Sequence, residues 1–164
     1  MTEQNQKQLI DNFAEMEQLL KKYTDATNII MQTESDEIEK IAEKIEEREV
    51  LIGEIDFLKK QCTSVINACE KQEAELIRDM LTGTNLNQRI SDELIPVRNS
   101  IVGLRSAQCE AAERDKALQA QFSSRTIEAK DQLMKLNDDK KKLDYYSSVN
   151  SAPANLGGSL DSSF

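Results

Sequence analysis

The chain reads as all-α: an elongated antiparallel helical hairpin or three-helix bundle with coiled-coil-like packing. Apolar residues step alternately by four and three along three segments, the spacing that keeps one helix face toward a partner helix. Only two polar breaks divide those segments, at residues 33–36 and 82–85. The composition is thin, with 38% apolar and 31% charged residues against about 25% charged in a typical domain. That balance suits helical rods, whose surface is large relative to their core. At 164 residues the chain fits one domain: a bundle over residues 1–146, then a tail over 147–164.

The first helix is predicted over residues 3–32, with the stripe Leu9, Phe13, Met16, Leu20, Tyr23, Thr27 and Ile30. Ile10 and Leu19 widen it enough to touch two neighbours. The second is predicted over residues 36–81, where acidic Asp36 and Glu37 suit a helix start. Its stripe runs through Ile38, Ile41, Ile45, Arg48, Ile52 and Ile55, then Leu58, Cys62, Val65 and Cys69, and closes on Leu76, Ile77, Met80 and Leu81. Gly53 costs about 1 kcal/mol relative to Ala in a helix interior, too little to break so sustained a pattern.

Gly83 suits the left-handed residue that ends a helix. Asn85, with Gln88 three residues on, reads as an N-cap with its capping-box partner. The third helix is therefore expected over residues 85–146, about 60 residues and about 90 Å long at 1.5 Å per residue. Its stripe starts Ile90, Leu94, Val97, Ile101, Leu104, weakens through Gln108, Ala111, Asp115, Leu118 and Phe122, and turns apolar again at Leu133, Leu136 and Leu143. Pro96 predicts a kink one turn back, or a true break with Ser91 or Asp92 capping a separate helix; the kinked continuous helix is the preferred form. From residue 147 the chain is rich in Ser, Asn and Gly without periodicity and is expected to be disordered alone.

Several function classes are disfavoured. A net charge of -9 argues against nucleic acid and anionic membrane surfaces as partners. No run of 18 apolar residues is present, and the start, Met1-Thr2-Glu3-Gln4, predicts no signal peptide. Three cysteines, Cys62, Cys69 and Cys109, are expected as free thiols in a reducing compartment. With three Cys and no His, a structural zinc site, which normally needs four Cys or His ligands, is disfavoured, and no Ser-His or Cys-His pair can form, so no cofactor, metal or enzymatic activity is expected. Adjacent carboxylates such as Glu46 and Glu47 point apart on a helix and read as solvated faces. Arg48, inside an apolar stripe, either lays its methylenes along the core with its charge in water or pairs with Asp115, its opposite by antiparallel counting.

Helix lengths carry the functional expectation. Helices of about 30 and 45 residues cannot accompany one of 60 along its whole length. The third outruns its companions near Asp131, leaving Leu133, Leu136, Leu143, Tyr145 and Tyr146 as candidate partner-binding residues. Folding back onto the bundle and pairing of two copies are the alternatives. The run Lys140-Lys141-Lys142 is accounted for by the helix dipole, with contact to an acidic partner left open.

The run Arg48-x-x-Leu51-Ile52-x-x-Ile55-Asp56-x-Leu58 resembles one in flagellar export chaperones of the FlgN and FliT type. The end is similar too, with Leu133, Leu136, Lys140, Lys141 and then Tyr145 or Tyr146 before a Gly-containing tail. The resemblance implies a cytoplasmic bacterial type III export chaperone without ATPase activity. Its cargo would be the amphipathic terminal helices of hook-associated or filament-cap subunits, handed to the export apparatus through the C-terminal Tyr region. Such a cargo helix would complete a bundle short of one helix, either at the overhang or at the weak three-helix middle. The alternative is a structural coiled-coil scaffold that homodimerises through its third helix.

Overall fold

The computed structural model describes residues 1–34, 36–84 and 89–150, the last six by their backbone alone. It is all-α, with helices α1 (Glu3–Gln32), α2 (Ile38–Asn67), α3 (Lys71–Thr82) and α4 (Ile95–Asn150), and a 3-10 turn at Asp92–Leu94 leading into α4. No strand occurs among the described residues. By compactness the chain divides into two units, Met1–Gln121 and Phe122–Phe164.

In α1 the Thr2 hydroxyl accepts the Asn5 N–H at 3.2 Å, satisfying one of the donors a helix start leaves unpaired. Its buried apolar residues are Leu9, Phe13, Met16, Leu19, Tyr23, Ala26 and Ile30, joined by Asn12, Thr24 and Thr27, so Leu19 rather than Leu20 carries the stripe into the core. Thr27 is fully buried because its hydroxyl is satisfied locally, donating to the Tyr23 carbonyl at 2.9 Å. Thr33 ends the helix, its N–H and hydroxyl both donating to the Ile29 carbonyl.

The single helix expected over residues 36–81 is two helices. α2 stops at Asn67, where the Ala68 N–H is shared among the carbonyls of Ser64, Val65 and Ile66 and Glu70 turns extended at ψ 147. Packing explains the break. A continued stripe would bring Gln72 or Glu73 inward after Cys69, whereas after the break Ala74, Ile77 and Met80 face the core and half-buried Glu73 pairs with the Met1 amino group. Arg78 ties the corner, donating to the Asn67 side-chain oxygen at 2.7 Å. Gly83 closes α3 at φ 88, the left-handed conformation expected of it. Arg105 of α4 then caps the α3 terminus by donating to the Leu81 carbonyl at 2.6 Å.

The long helix also starts later than expected. Residues 89–91 are not helical, and α4 begins at Ile95 after the 3-10 turn. Pro96 thus lies in the first turn, where its missing N–H leaves no bond unmade, so the structure takes the break rather than the kink. The proposed cap at Asn85 with Gln88 falls outside the described residues. At the far end α4 runs to Asn150, past the expected end at 146.

One core fills the first unit. Leu9, Phe13 and Met16 of α1 pack with Leu51, Ile55, Leu58, Cys62 and Val65 of α2, Ile77 and Met80 of α3, and Val97, Ile101 and Leu104 of α4. The start of α2 departs from its predicted stripe. Ile38, Ile45 and Ile52 are 70%, 42% and 45% exposed, and α2 buries Leu51, Ile55, Leu58, Cys62, Val65 and Ile66 instead. Ile38, Ile45 and Ile52 lie about a quarter-turn round the helix from that buried face at 3.6 residues per turn.

Candidate partner-binding surfaces

The buried residues of α4, Val97, Ile101, Leu104, Ala107, Ala111 and Leu118, share one helix face. Counting on at 3.6 residues per turn, that face carries Phe122, Leu133, Leu136 and Leu143 within the second unit. Leu133, Leu136 and Leu143 are 66%, 65% and 69% exposed. Phe122, on the predicted stripe, is exposed as well, and so are Ile127 and Met134, which fall off that four–three stripe. Tyr145 and Tyr146 lie within the helix, and their side chains are outside the described residues. Lys141 and Lys142 sit 4.0 and 3.6 Å from Asp138 and Asp139, one turn back. Such exposed pairs contribute a few tenths of a kcal/mol each to the helix.

In the first unit the weak middle of the α4 stripe is occupied by a polar node joining three helices. Arg48 of α2 lies 2.7 Å from an Asp115 carboxylate oxygen, and the Tyr23 hydroxyl donates to the other oxygen at 2.8 Å. Arg48 also donates to the Tyr23 hydroxyl, with its guanidinium 4.4 Å from the Tyr23 ring centroid. The ion pair is thus the form the structure takes, with only 16% of the Arg48 side chain exposed. Burial pushes the Tyr23 hydroxyl above its ordinary 10.0; its bond from Arg48 pulls the other way and its bond to Asp115 reinforces the rise.

Beside this node a groove of about 250 Å³ opens, lined by Leu20, Tyr23, Ile52, Ile55, Ala111 and Asp115. It exists because Ala111 and its neighbour Ala112 are too small to fill the space facing Ile52. The motif that carries the chaperone resemblance divides here. Leu51, Ile55 and Leu58 are core, each 6% exposed, and Arg48 holds the node. Ile52 and Asp56 open onto the groove, with Asp56 paired to Lys59 at 3.0 Å.

No family model, curated protein or solved structure matches the chain. Its function is therefore read from its own residues. Among the described residues, no group of three or more His, Cys, Asp or Glu side chains is placed to hold a metal ion. No described helix is long and apolar enough to cross a membrane. Cys62 is buried and Cys69 half-buried, with burial raising both thiols, while Cys109 is exposed.

Proposed function

We propose that the protein is a helical adaptor that captures an amphipathic helix of another protein on the exposed stripe of α4. The observation that carries this reading is the exposure of Leu133, Leu136 and Leu143 at the register that α4 buries elsewhere. Large apolar groups clustered on one face mark interaction sites more often than they stand idle. A helix-in-groove complex needs apolar anchors at such spacings and no chemistry. Burying three leucine side chains contributes about 1.5–3 kcal/mol each, the same order as the cost of association, so these three alone support only weak, reversible capture.

The run from Arg48 to Leu58 supports the more specific form of the proposal. In it the protein is a cytoplasmic flagellar type III export chaperone that binds the terminal helices of hook-associated or filament-cap subunits and delivers them to the export apparatus. The test is calorimetric titration of the full chain with those terminal segments, wild type beside Leu136→Asp/Leu143→Asp. Binding weakened at least tenfold by the double substitution, with an unchanged melting temperature, is the expected result. Absence of binding to any such segment would remove the flagellar assignment, and binding unaffected by the substitution would remove α4 as the site. A scaffold that homodimerises through α4 rests on the same exposed leucines.

A further inference from the structure

We infer that the helix captured on α4 carries carboxylates beside its apolar stripe, placed to meet Arg125 and Lys140. This rests on the capture reading above and adds to it the chemistry of the partner. At 3.6 residues per turn, Phe122, Leu133, Leu136 and Leu143 fall within an arc of about 80° around α4. Arg125 and Lys140 lie inside the same arc, so a helix that covers the leucines also covers these two cations. They are the only charged residues within it, and neither has an ion-pair or hydrogen-bond partner among the described residues.

The borders of the arc do not supply the missing counter-charge. Within about 60° on either side stand Asp139, Asp144, Glu128 and Lys130. Asp139 pairs with Lys142 at 3.6 Å, Glu128 accepts from the Ser124 hydroxyl at 3.3 Å, and Asp144 is already engaged. Lys130 adds a third cation. Covering a cation without a counter-charge opposes binding, so a purely apolar or a basic helix is disfavoured on this face. The flexible Lys140 stem lies along apolar surface while its ammonium reaches a carboxylate at the edge of the partner's stripe. Self-pairing fails the same test. Antiparallel pairing of residues 122–143 with themselves sets Arg125 opposite Lys140, and parallel pairing in register sets each cation against its own copy.

Two fluorescein-labelled three-heptad peptides with Leu at a and d serve as probes, one with Glu and the other with Lys at e and g. Each is titrated by fluorescence anisotropy with the full chain, and α4 binding is the part that Leu136→Ala/Leu143→Ala removes. The Glu peptide is expected to bind α4 at least about tenfold tighter than the Lys peptide, with a smaller margin as salt rises. The net charge of -9 favours the opposite order, so general attraction to the chain does not produce this one. Arg125→Met/Lys140→Met keeps the apolar bulk and should cut the preference to about threefold or less. Arg125→Glu/Lys140→Glu should reverse it. Circular dichroism identifies any variant that fails to fold, and the Met pair decides if the Glu pair does not. Equal α4 affinities, a tighter Lys peptide, or a preference undiminished in the Met pair overturns the inference and leaves capture on α4 standing. If neither peptide binds α4, the capture reading falls and the inference with it. A wild-type dimer that the leucine substitutions dissolve gives the stripe to a second copy and likewise overturns both.

Discussion

Removing Asp115 should destabilise the first unit by an amount that its surroundings set. Asp115 accepts from Arg48 at 2.7 Å and from the Tyr23 hydroxyl at 2.8 Å, and hydrogen bonds to a charged group contribute about 1.5–3 kcal/mol each. The Asp115 side chain is 38% exposed, so water replaces part of that stabilisation, and about 2 kcal/mol in total is expected for Asp115→Ala. Most of the loss comes from Arg48, which is left with only 16% of its side chain in solvent and no counter-charge. Arg48→Met keeps the methylene packing and leaves the more exposed partner to rehydrate, so about 1 kcal/mol or less is expected. A double-mutant cycle of the two should give a coupling of about 1 kcal/mol. Urea denaturation gives these values directly, and Asp115→Ala should lower the melting temperature by about 4–8 °C. Equal costs for the two single substitutions, or a coupling near zero, would refute the argument that the node is held against desolvation.

Three other positions carry sharp expectations. Gly83→Ala forces a Cβ into the left-handed conformation at φ 88 and against the Arg105 guanidinium, and should cost about 1–2 kcal/mol in a thermal melt. Pro96→Ala should change stability by less than about 1 kcal/mol because Pro96 occupies a first turn; a gain approaching 3 kcal/mol would mean that the helix runs unbroken through it. Towards a disulfide reagent at neutral pH, exposed Cys109 should react first and buried Cys62 last, since burial raises the Cys62 thiol and keeps it from the thiolate form. Equal rates would show that the core around Cys62 opens freely.

Periodicity alone made the fold class legible, because a four–three stripe has no other stable use than helix packing. Boundaries were less legible where a local fact competes with the stripe. Pro96 reads equally as a kink or as a first-turn residue, and only the non-helical stretch at residues 89–91 separates the two. The corner after Asn67 left a trace in Gln72 and Glu73, the polar residues that fall where the stripe calls for apolar ones. Antiparallel counting reached the Arg48–Asp115 pair. It did not reach Tyr23, since an aromatic residue in an apolar stripe reads as core until its hydroxyl is seen between two charges. The exposed apolar residues of α2 were hidden for another reason: Ile45, Ile52, Val50 and Phe57 spread round the helix, and sequence spacing does not say which apolar residues a neighbour covers.

The exposed leucines of α4 are claimed for another protein, and sedimentation velocity of the full chain tests that most directly. The chain should run as a monomer at concentrations up to about 100 µM, well above the micromolar range in which a specific self-interface would associate, and Leu136→Asp/Leu143→Asp should sediment identically. A dimer in the wild type that those two substitutions dissolve would give the stripe to a second copy of the chain and contradict the adaptor account.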